Sequence, residues 1–362
     1  MKKYSSIEEI QEYFERPDID QSKLKRLILG LDALMDERES KLYFEEKESL
    51  IIGSVVDCLM TNQEGDFEKR YHISTLVSKP SDSIKSVVNQ VYDYSRISME
   101  DSLEAWKKLP LAYHNSLIVA AIEQQGYQNN WKMDTRVNKI LEQSDYFDDL
   151  KEATGKQVLS LEEYSLAQQI VDSLGNLGII KLCKEADSKA SEDYEVYYQY
   201  PIYFTYQGEA CKGLIDILVV DRKSGKYYII DVKTTFGRTL DFFSSVMKYR
   251  YDIQLAFYRE AVSIAFGVPF DKIGCLFAVE STSRLGTPLV YNCSQSLLNQ
   301  GAYGRKAVVV DGVTIKKEIK GYSQLMELYS YYMQTGFNQE KVIAEAKNPN
   351  YLTLDINGIM EE

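Results

Sequence analysis

The sequence has few of the residues on which most metal and redox sites depend. It contains only two His, His72 and His114, which removes most His-based catalytic and metal-binding schemes. Its five Cys are scattered and form no CxxC pair, so we predict neither a zinc site nor an iron–sulfur cluster. Reduced thiols in a cytoplasm are the simplest interpretation.

Long apolar runs and low-complexity tracts are also missing. No window approaches the roughly 18 to 20 apolar residues that a membrane-spanning helix needs, so we expect no membrane partner. Lys2 and Lys3 are followed by no apolar stretch, which disfavours a signal peptide and favours a cytoplasmic protein. Only 7 Pro occur in 362 residues, and no Gly- or Ser-rich run suggests a long disordered linker.

The composition is that of an ordinary globular protein with an acidic surface. Hydrophobic residues make up 44% of the chain and charged residues 27%. The net charge of −12 argues against nucleic-acid binding through bulk attraction. A local basic groove remains compatible with that charge, so the charge decides little.

Hydrophobic periodicity predicts a mainly helical N-terminal region over residues 1–185. Residues from about 5 to 61 read as helices, with an interruption at Pro17–Asp20. The last of these helices carries an apolar stripe at Ile51, Ile52, Val55, Val56 and Leu59. The helical pattern resumes from Ser83 to about Ser173.

The pattern then changes to that of strands. Apolar and aromatic runs predict strands at 194–206, 214–220, 226–232 and 273–279, and a hairpin at 307–315 around Asp311 and Gly312. Helices are predicted from roughly Leu240 to Phe266 and from Tyr322 to Met333. This order predicts an α/β (α+β) core over residues 186–362, with a mixed central sheet flanked by helices, integrated with the helical region.

Two carboxylates are predicted to face each other across the first hairpin. A turn centred on Lys223 and Ser224 places Asp221 opposite Lys226 and, further along, Asp216 opposite Asp231. Opposed residues of an antiparallel pair have Cβ atoms about 4.5 to 5.5 Å apart. Carboxylates so close repel each other unless a cation lies between them, and oxygen ligands favour Mg²⁺ or Mn²⁺, as one or two ions.

Lys233 shares a face of its strand with Asp231, because strand side chains alternate. A fixed cation beside a metal is what phosphodiester hydrolysis requires. The alternative is that Asp-x-Lys belongs to a solvated strand face.

Two helices offer further candidates. Tyr251, Gln254 and Tyr258 share one face of a helix, where they would support the metal ligands or form a polar–aromatic boundary with solvent. Asp57 lies away from the apolar stripe of its helix, as a solvated residue would. Gly53, one turn earlier, permits close approach of another backbone, which makes Asp57 an additional candidate metal ligand.

Five stretches in this order resemble the RecB-like branch of the PD-(D/E)XK nucleases, and most closely the exonuclease VIII (RecE-like) proteins of phages and prophages. They are Ile19–Lys25, Ile52–Leu59, Cys211–Asp216, Ile230–Thr235 and Tyr251–Tyr258. Two positions depart from the family pattern, since Ile215 replaces its Pro and Asp57 stands where many relatives carry His. The stretch 281–362 matches no motif.

The resemblance implies metal binding by Asp216 and Asp231, catalysis by Lys233, and a site completed by Gln254 and Tyr258. It also implies digestion of double-stranded DNA ends by a homo-oligomer, leaving single strand for an annealing partner in the cytoplasm of a bacterial host. Cations that would contact phosphates are Lys212, Arg238, Lys248 and Arg250.

Two other functions fit the same residues. One is a structure-specific or nicking endonuclease, which would cut closed circular DNA. The other is a non-catalytic DNA-binding or assembly protein, in which Asp231→Asn would change nothing.

Overall fold

The structure is a computed structural model that describes most of the chain. The described residues are 4–28, 48–61, 65–76, 80–98, 111–188, 192–310, 313–316, 318–335, 353–355 and 358–360. Residues 29–47 and 99–110, within the predicted helical segments, and Asp311 with Gly312 at the predicted turn lie outside them.

The N-terminal half is mainly helical, as predicted. Its helices are α1 (Ile7–Glu15), α2 (Gln21–Arg26), α3 (Glu48–Thr61), α4 (Asp66–Arg70), α5 (Asp82–Ser98), α6 (Leu111–Gln125), α7 (Met133–Leu141), α8 (Ser144–Ala153), α9 (Leu161–Gly175) and α10 (Gly178–Ser188). The predicted interruption separates α1 from α2, where the Asp20 carboxylate caps α2 by accepting from the backbone N–H of Lys23.

Two short strands interrupt this helical half, and the sequence pattern did not reveal them. β1 (Tyr71–Ile73) pairs in parallel with β2 (Gln157–Leu159). The prediction of unbroken helix from Ser83 to Ser173 is therefore wrong at β2. Three residues are too few to show a period of two, and only the long-range partner makes them a strand.

The predicted mixed central sheet is confirmed, and it has five strands. Its strands, in spatial order, are β3 (Tyr194–Tyr206), β4 (Glu209–Asp221), β5 (Lys226–Thr235), β6 (Ile273–Ser281) and β7 (Leu289–Asn292). β5 and β6 are parallel, and the other neighbours are antiparallel. The edge strand β7 was not predicted.

The β4–β5 hairpin has the predicted register. Asp221 pairs with Lys226, and the ladder runs to Ile217 opposite Ile230. The Asp221 carboxylate closes the turn by accepting from the backbone N–H of Ser224 at 3.0 Å and from its hydroxyl at 2.6 Å. Turn chemistry close in sequence therefore sets the alignment of both strands.

The predicted helix 240–266 is two helices. After a 3₁₀ turn at Thr239–Asp241 come α11 (Phe242–Tyr249) and α12 (Tyr251–Phe266), separated by Arg250 in the left-handed conformation with φ of 53°. The Arg250 guanidinium stabilises the break through Asp252, at 2.9 Å, and the carbonyl of Lys320, at 2.8 Å. The interval after α12 contains a second 3₁₀ turn, Phe270–Lys272.

The described residues of the C-terminal part form two more helices and two antiparallel pairs of strands. They are α13 (Gln295–Tyr303), the antiparallel pair β8 (Val308–Val310) and β9 (Val313–Lys316), α14 (Tyr322–Thr335), and the antiparallel pair β10 (Thr353–Asp355) and β11 (Gly358–Met360). The predicted hairpin and final helix are confirmed. No helix within the described residues is both long and apolar enough to cross a bilayer.

Each face of the sheet buries its own core. On the β4–β5 pair, Leu218 and Ile229 face one core, and Ile217 and Ile230 face the other. Helices α2, α12, α13 and α14 cover the first face, and α3, α9 and α10 cover the second. A third apolar cluster contains residues of the four helices α5, α6, α7 and α8 and of β2. Helices from both halves of the chain therefore meet at the sheet.

Candidate functional site

The candidate site lies where β4 and β5 separate. Counted from the turn, Asp216 is the first residue of β4 beyond the last ladder pair, Ile217 and Ile230. Its carboxylate accepts a hydrogen bond from the backbone N–H of Val232 at 2.8 Å. Asp216 thus contacts the neighbouring strand through its side chain, one residue beyond Asp231. The predicted register places both carboxylates at this opening, although the backbone ladder does not extend to them.

Asp231 is the most buried carboxylate of the site, with 1% of its surface exposed. Gln254 donates to its Oδ1 at 2.7 Å, and the Lys233 ammonium lies 2.5 Å from its Oδ2. Gln254 also lies 3.5 Å from the Tyr258 hydroxyl. The carboxylate is therefore held by an amide from α12 on one side and by a cation from its own strand on the other.

Helix α12 approaches the sheet closely because Gly213 on β4 has no side chain. A Cβ at Gly213 would lie 3.1 Å from the Tyr258 ring. Gln254 and Tyr258 are both buried as a result, and Tyr251 is partly buried. The face that they share points into the protein, which excludes the alternative of a polar–aromatic boundary with solvent.

Asp57 reaches the same place from the other side of the sheet. Gly53 brings α3 close to β5, since a Cβ there would lie 3.3 Å from Thr234 Oγ1. Gln199 donates to both Asp57 carboxylate oxygens, at 3.0 and 3.1 Å. The Thr61 hydroxyl lies 3.2 Å from one of them. Asp57 is therefore partly buried and oriented by polar neighbours.

The three carboxylates form one electrostatic cluster. Burial raises the pKa of Asp57 to about 6, although Lys233 and the Thr61 hydrogen bond oppose the shift. Burial raises the pKa of Asp216 well above its usual range, and Asp231 and Asp57 raise it further. The site therefore contains more negative charge than Lys233 offsets. A divalent cation with oxygen ligands fits this deficit, and Asp57, Asp216 and Asp231 are the residues that would hold it, although their potential ligand atoms do not all lie within 4.8 Å of one another.

Lys233 remains a cation in this environment. Burial lowers the pKa of Lys233, but Asp231 and Asp216 raise it by more, so the net pKa is raised. Its ammonium lies 5.1 Å from the centre of the Tyr251 ring. Lys25 of α2 lies 5.8 Å from the centre of the same ring. Burial and the charge of Lys233 lower the pKa of Lys25 to about 8.

The four cations predicted to contact phosphate differ in their surroundings. Lys212 is buried, and its ammonium donates to the carbonyls of Tyr13 and Arg16, each at 2.6 Å. These bonds hold the ammonium against the end of α1, which disfavours a contact between Lys212 and phosphate. Arg250 pairs with Asp252, as described above. Arg238 pairs with Asp241 at 2.8 Å but remains exposed, and Lys248 is exposed.

Gln199, Thr61 and Lys25 belong to the site but were not assigned from the sequence. Gln199 interrupts an aromatic strand and has a positive φ of 46°, a conformation uncommon for this residue type. The available signal was an amide side chain within the aromatic and apolar run from Val196 to Phe204. Lys25 lies in a stretch that carries the family resemblance, but nothing local connects it with residues 230–235.

A group of potential metal ligands lies between β1 and α8. His72, Asp149 and Glu152 place their potential ligand atoms within 4.8 Å of one another. His72 Nε2 lies 3.1 Å from Asp149 Oδ1, a hydrogen bond that joins β1 to α8. One of the two His residues, His72, therefore lies in a cluster with two carboxylates.

The sheet, the hairpin carboxylates and the adjacent lysine define a nuclease-like domain of the PD-(D/E)XK type. The family model described as "PDDEXK-like domain of unknown function (DUF3799)" matches residues 21–308. The chain belongs to this family. The match confirms the superfamily predicted from the motifs and includes α2, which contributes Lys25.

Among solved structures, the chain is similar to a crystal structure of a presumed exonuclease from Eubacterium rectale. The two are 15% identical, the match covers 63% of this chain and 81% of the other, and the TM-score is 0.28. No curated protein matches the sequence.

Proposed function

We propose that this protein is a deoxyribonuclease that depends on Mg²⁺ or Mn²⁺. The observation that carries the proposal is the electrostatic coupling of three carboxylates, Asp57, Asp216 and Asp231, with Lys233, whose ammonium pairs with Asp231 at 2.5 Å. Such a group of carboxylates holds a divalent cation, and a fixed cation beside it suits a phosphodiester substrate. Membership of a PD-(D/E)XK-like family supports the same reaction class.

Each residue of the site has a distinct role in this proposal. A bound divalent cation would supply an activated water and polarise the scissile phosphate. Lys233, with its raised pKa, acts as a charge-stabilising donor to a phosphate oxygen and not as a general base. Gln254 fixes the orientation of the Asp231 carboxylate. Gln199 does the same for Asp57.

The more specific proposal is an exonuclease that acts on double-stranded DNA ends. The order and content of the five RecE-like motifs support it. By the same analogy, the enzyme would be a homo-oligomer in the cytoplasm that leaves single strand for an annealing partner.

The test is digestion of end-labelled linear duplex with Mg²⁺, alongside closed circular duplex of the same sequence. We expect loss of the linear DNA alone and complete inhibition by EDTA. Lys233→Ala should lower the rate by at least about 100-fold, the cost of removing a charge-stabilising group. Lys226→Ala, at the exposed start of the same strand, should cut at the wild-type rate.

Cutting of the circular duplex would replace the exonuclease with an endonuclease on the same site. Absence of metal-dependent cutting with either ion would refute the enzyme and favour the binding protein.

A further inference from the structure

The surface beside the candidate site displays large apolar side chains that the protein core does not use. We call them the apolar segment: Phe236 (77% exposed), Leu240 (72%), Phe243 (62%) and Tyr249 (50%). All four lie within fourteen residues that begin directly after β5. Phe242 and Val246 of the same segment point inward and are buried. Phe242 and Val246 therefore anchor the segment to the core, and the four exposed side chains do not contribute to this anchoring.

The backbone that carries these side chains is fixed. The hydroxyl of Ser283 donates to the Phe236 carbonyl, and the backbone N–H of Thr282 donates to the Thr235 carbonyl at 2.8 Å. The Tyr291 hydroxyl donates to the Thr239 carbonyl at 2.6 Å. The apolar side chains thus project from a loop and a helix whose backbone is held by hydrogen bonds. This restraint lowers the conformational entropy that the segment loses when a ligand binds to it.

The apolar segment connects directly to the candidate site. The rings of Tyr249 and Tyr251 have centroids 5.7 Å apart. Another neighbour of Tyr251 is the ammonium of Lys233, at 5.1 Å. A ligand chain that crosses Tyr249 would therefore reach the group proposed to stabilise the phosphate.

The charge of this stretch is opposite to that of the whole protein. Residues 233–250 contain one carboxylate, Asp241, and four cations, in a chain with a net charge of −12. The cations are Lys233, Arg238, Lys248 and Arg250. Three of them pair with carboxylates, Lys233 with Asp231, Arg238 with Asp241 and Arg250 with Asp252. Arg284, from another loop, also lies near Asp241 and lowers its pKa together with Arg238. Positive charge interleaved with exposed aromatic rings suits a polyanion that also carries flat apolar groups.

We infer that the apolar segment is a platform on which unpaired DNA bases stack as the strand enters or leaves the candidate site. The inference rests on the proposed function for the identity of the substrate, and it specifies that substrate as DNA with a single-stranded portion. Stacking on Phe236, Phe243 and Tyr249 would be tolerant of sequence, because every base has a π-face. A symmetric contact between two copies of the segment would instead bring like charges together.

The test is fluorescence anisotropy with labelled oligodeoxythymidine in EDTA, so that binding is measured without cleavage. Phe236→Ser and Phe243→Ser should each weaken binding by about 5- to 100-fold, the range for loss of one stacking ring. Trp131→Ser is the matched control, because Trp131 is an exposed aromatic in the helical half. That variant should bind as the wild type does.

Unchanged affinity in both Phe variants, or no binding by the wild type, would overturn the inference. A change in sedimentation with unchanged DNA affinity would overturn it in favour of self-association. Because the assay needs no cleavage, a protein that binds single strand through this segment but cuts nothing would refute the nuclease alone. A protein that cuts duplex ends but whose Phe variants keep full single-strand affinity would refute the platform alone.

Discussion

At the scale of single residues, the folded protein without metal disfavours the ionised form of the Asp216 carboxyl. Its pKa is raised above the ordinary 3.8 by burial and by the nearby Asp231 and Asp57. A carboxyl whose pKa is higher in the folded state lowers stability once it ionises. The loss of folding stability begins as pH rises through about 4, which is the pKa of the Asp carboxyl in the unfolded chain. The loss is complete once pH exceeds the pKa of Asp216 in the folded protein.

Asp216→Asn should therefore stabilise the metal-free protein at neutral pH. The gain is about 1.4 kcal/mol for each unit by which folding raises the pKa, and it should shrink as pH falls towards about 4. Urea unfolding in EDTA at several pH values measures it. The same variant should lose the nuclease activity. A metal-free variant less stable than the wild type at neutral pH would show that the Asp216 carboxylate is well accommodated without an ion.

The sequence predicted several of the residues that lie in this cluster. Asp216, Asp231 and Lys233 follow from the hairpin register and from the alternation of strand side chains, which are both local properties. Gln199 and Lys25 do not, because β3 and α2 reach the site only through tertiary packing. Lys212 shows the converse, since the sequence marks a cation but not that it is buried against α1.

At the scale of elements, the break between α11 and α12 orients the face of α12 that carries Gln254 and Tyr258. Arg250 occupies a left-handed conformation that a side chain with a Cβ adopts at a cost. Its ion pair with Asp252 and its bond to the Lys320 carbonyl oppose that cost. Apolar periodicity continues across the break, so the sequence predicted one helix.

Arg250→Gly and Arg250→Ala should both destabilise the protein, since both remove the ion pair. The Gly variant should be the more stable of the two by up to about 1 kcal/mol, because glycine adopts a positive φ without steric strain. Thermal or urea unfolding of the two variants compares them. Equal stability would mean that the backbone at residue 250 can relax when the guanidinium is removed.

At the scale of the whole molecule, the site joins the two halves of the chain. Asp57 comes from the helical half, and Asp216 and Asp231 come from the sheet. The division of the chain at residue 185 stays a prediction. An ion shared by these carboxylates would couple the unfolding of the two regions on either side of that division.

Magnesium should therefore shift one cooperative unfolding transition that includes α3 and the β4–β5 hairpin together. At a magnesium concentration of 100 times its Kd, the stabilisation should be about 2.7 kcal/mol. Circular dichroism melts report the transition, and hydrogen exchange of α3 and β5 shows whether both are protected. Asp216→Asn should abolish the shift. Two separate transitions, with only one sensitive to magnesium, would show that the halves unfold independently.

The sequence by itself determined four of the five strands of the central sheet, the register of the β4–β5 hairpin and the PD-(D/E)XK superfamily. These depend on periodicity, turn residues and short motifs, which act over a few residues. Only the tertiary structure decided that Gln199 and Lys25 join the site, that Lys212 does not face solvent, and that the helix breaks at Arg250. Each of these depends on contacts between segments far apart in the chain, where burial and a neighbouring charge decide what a polar side chain does.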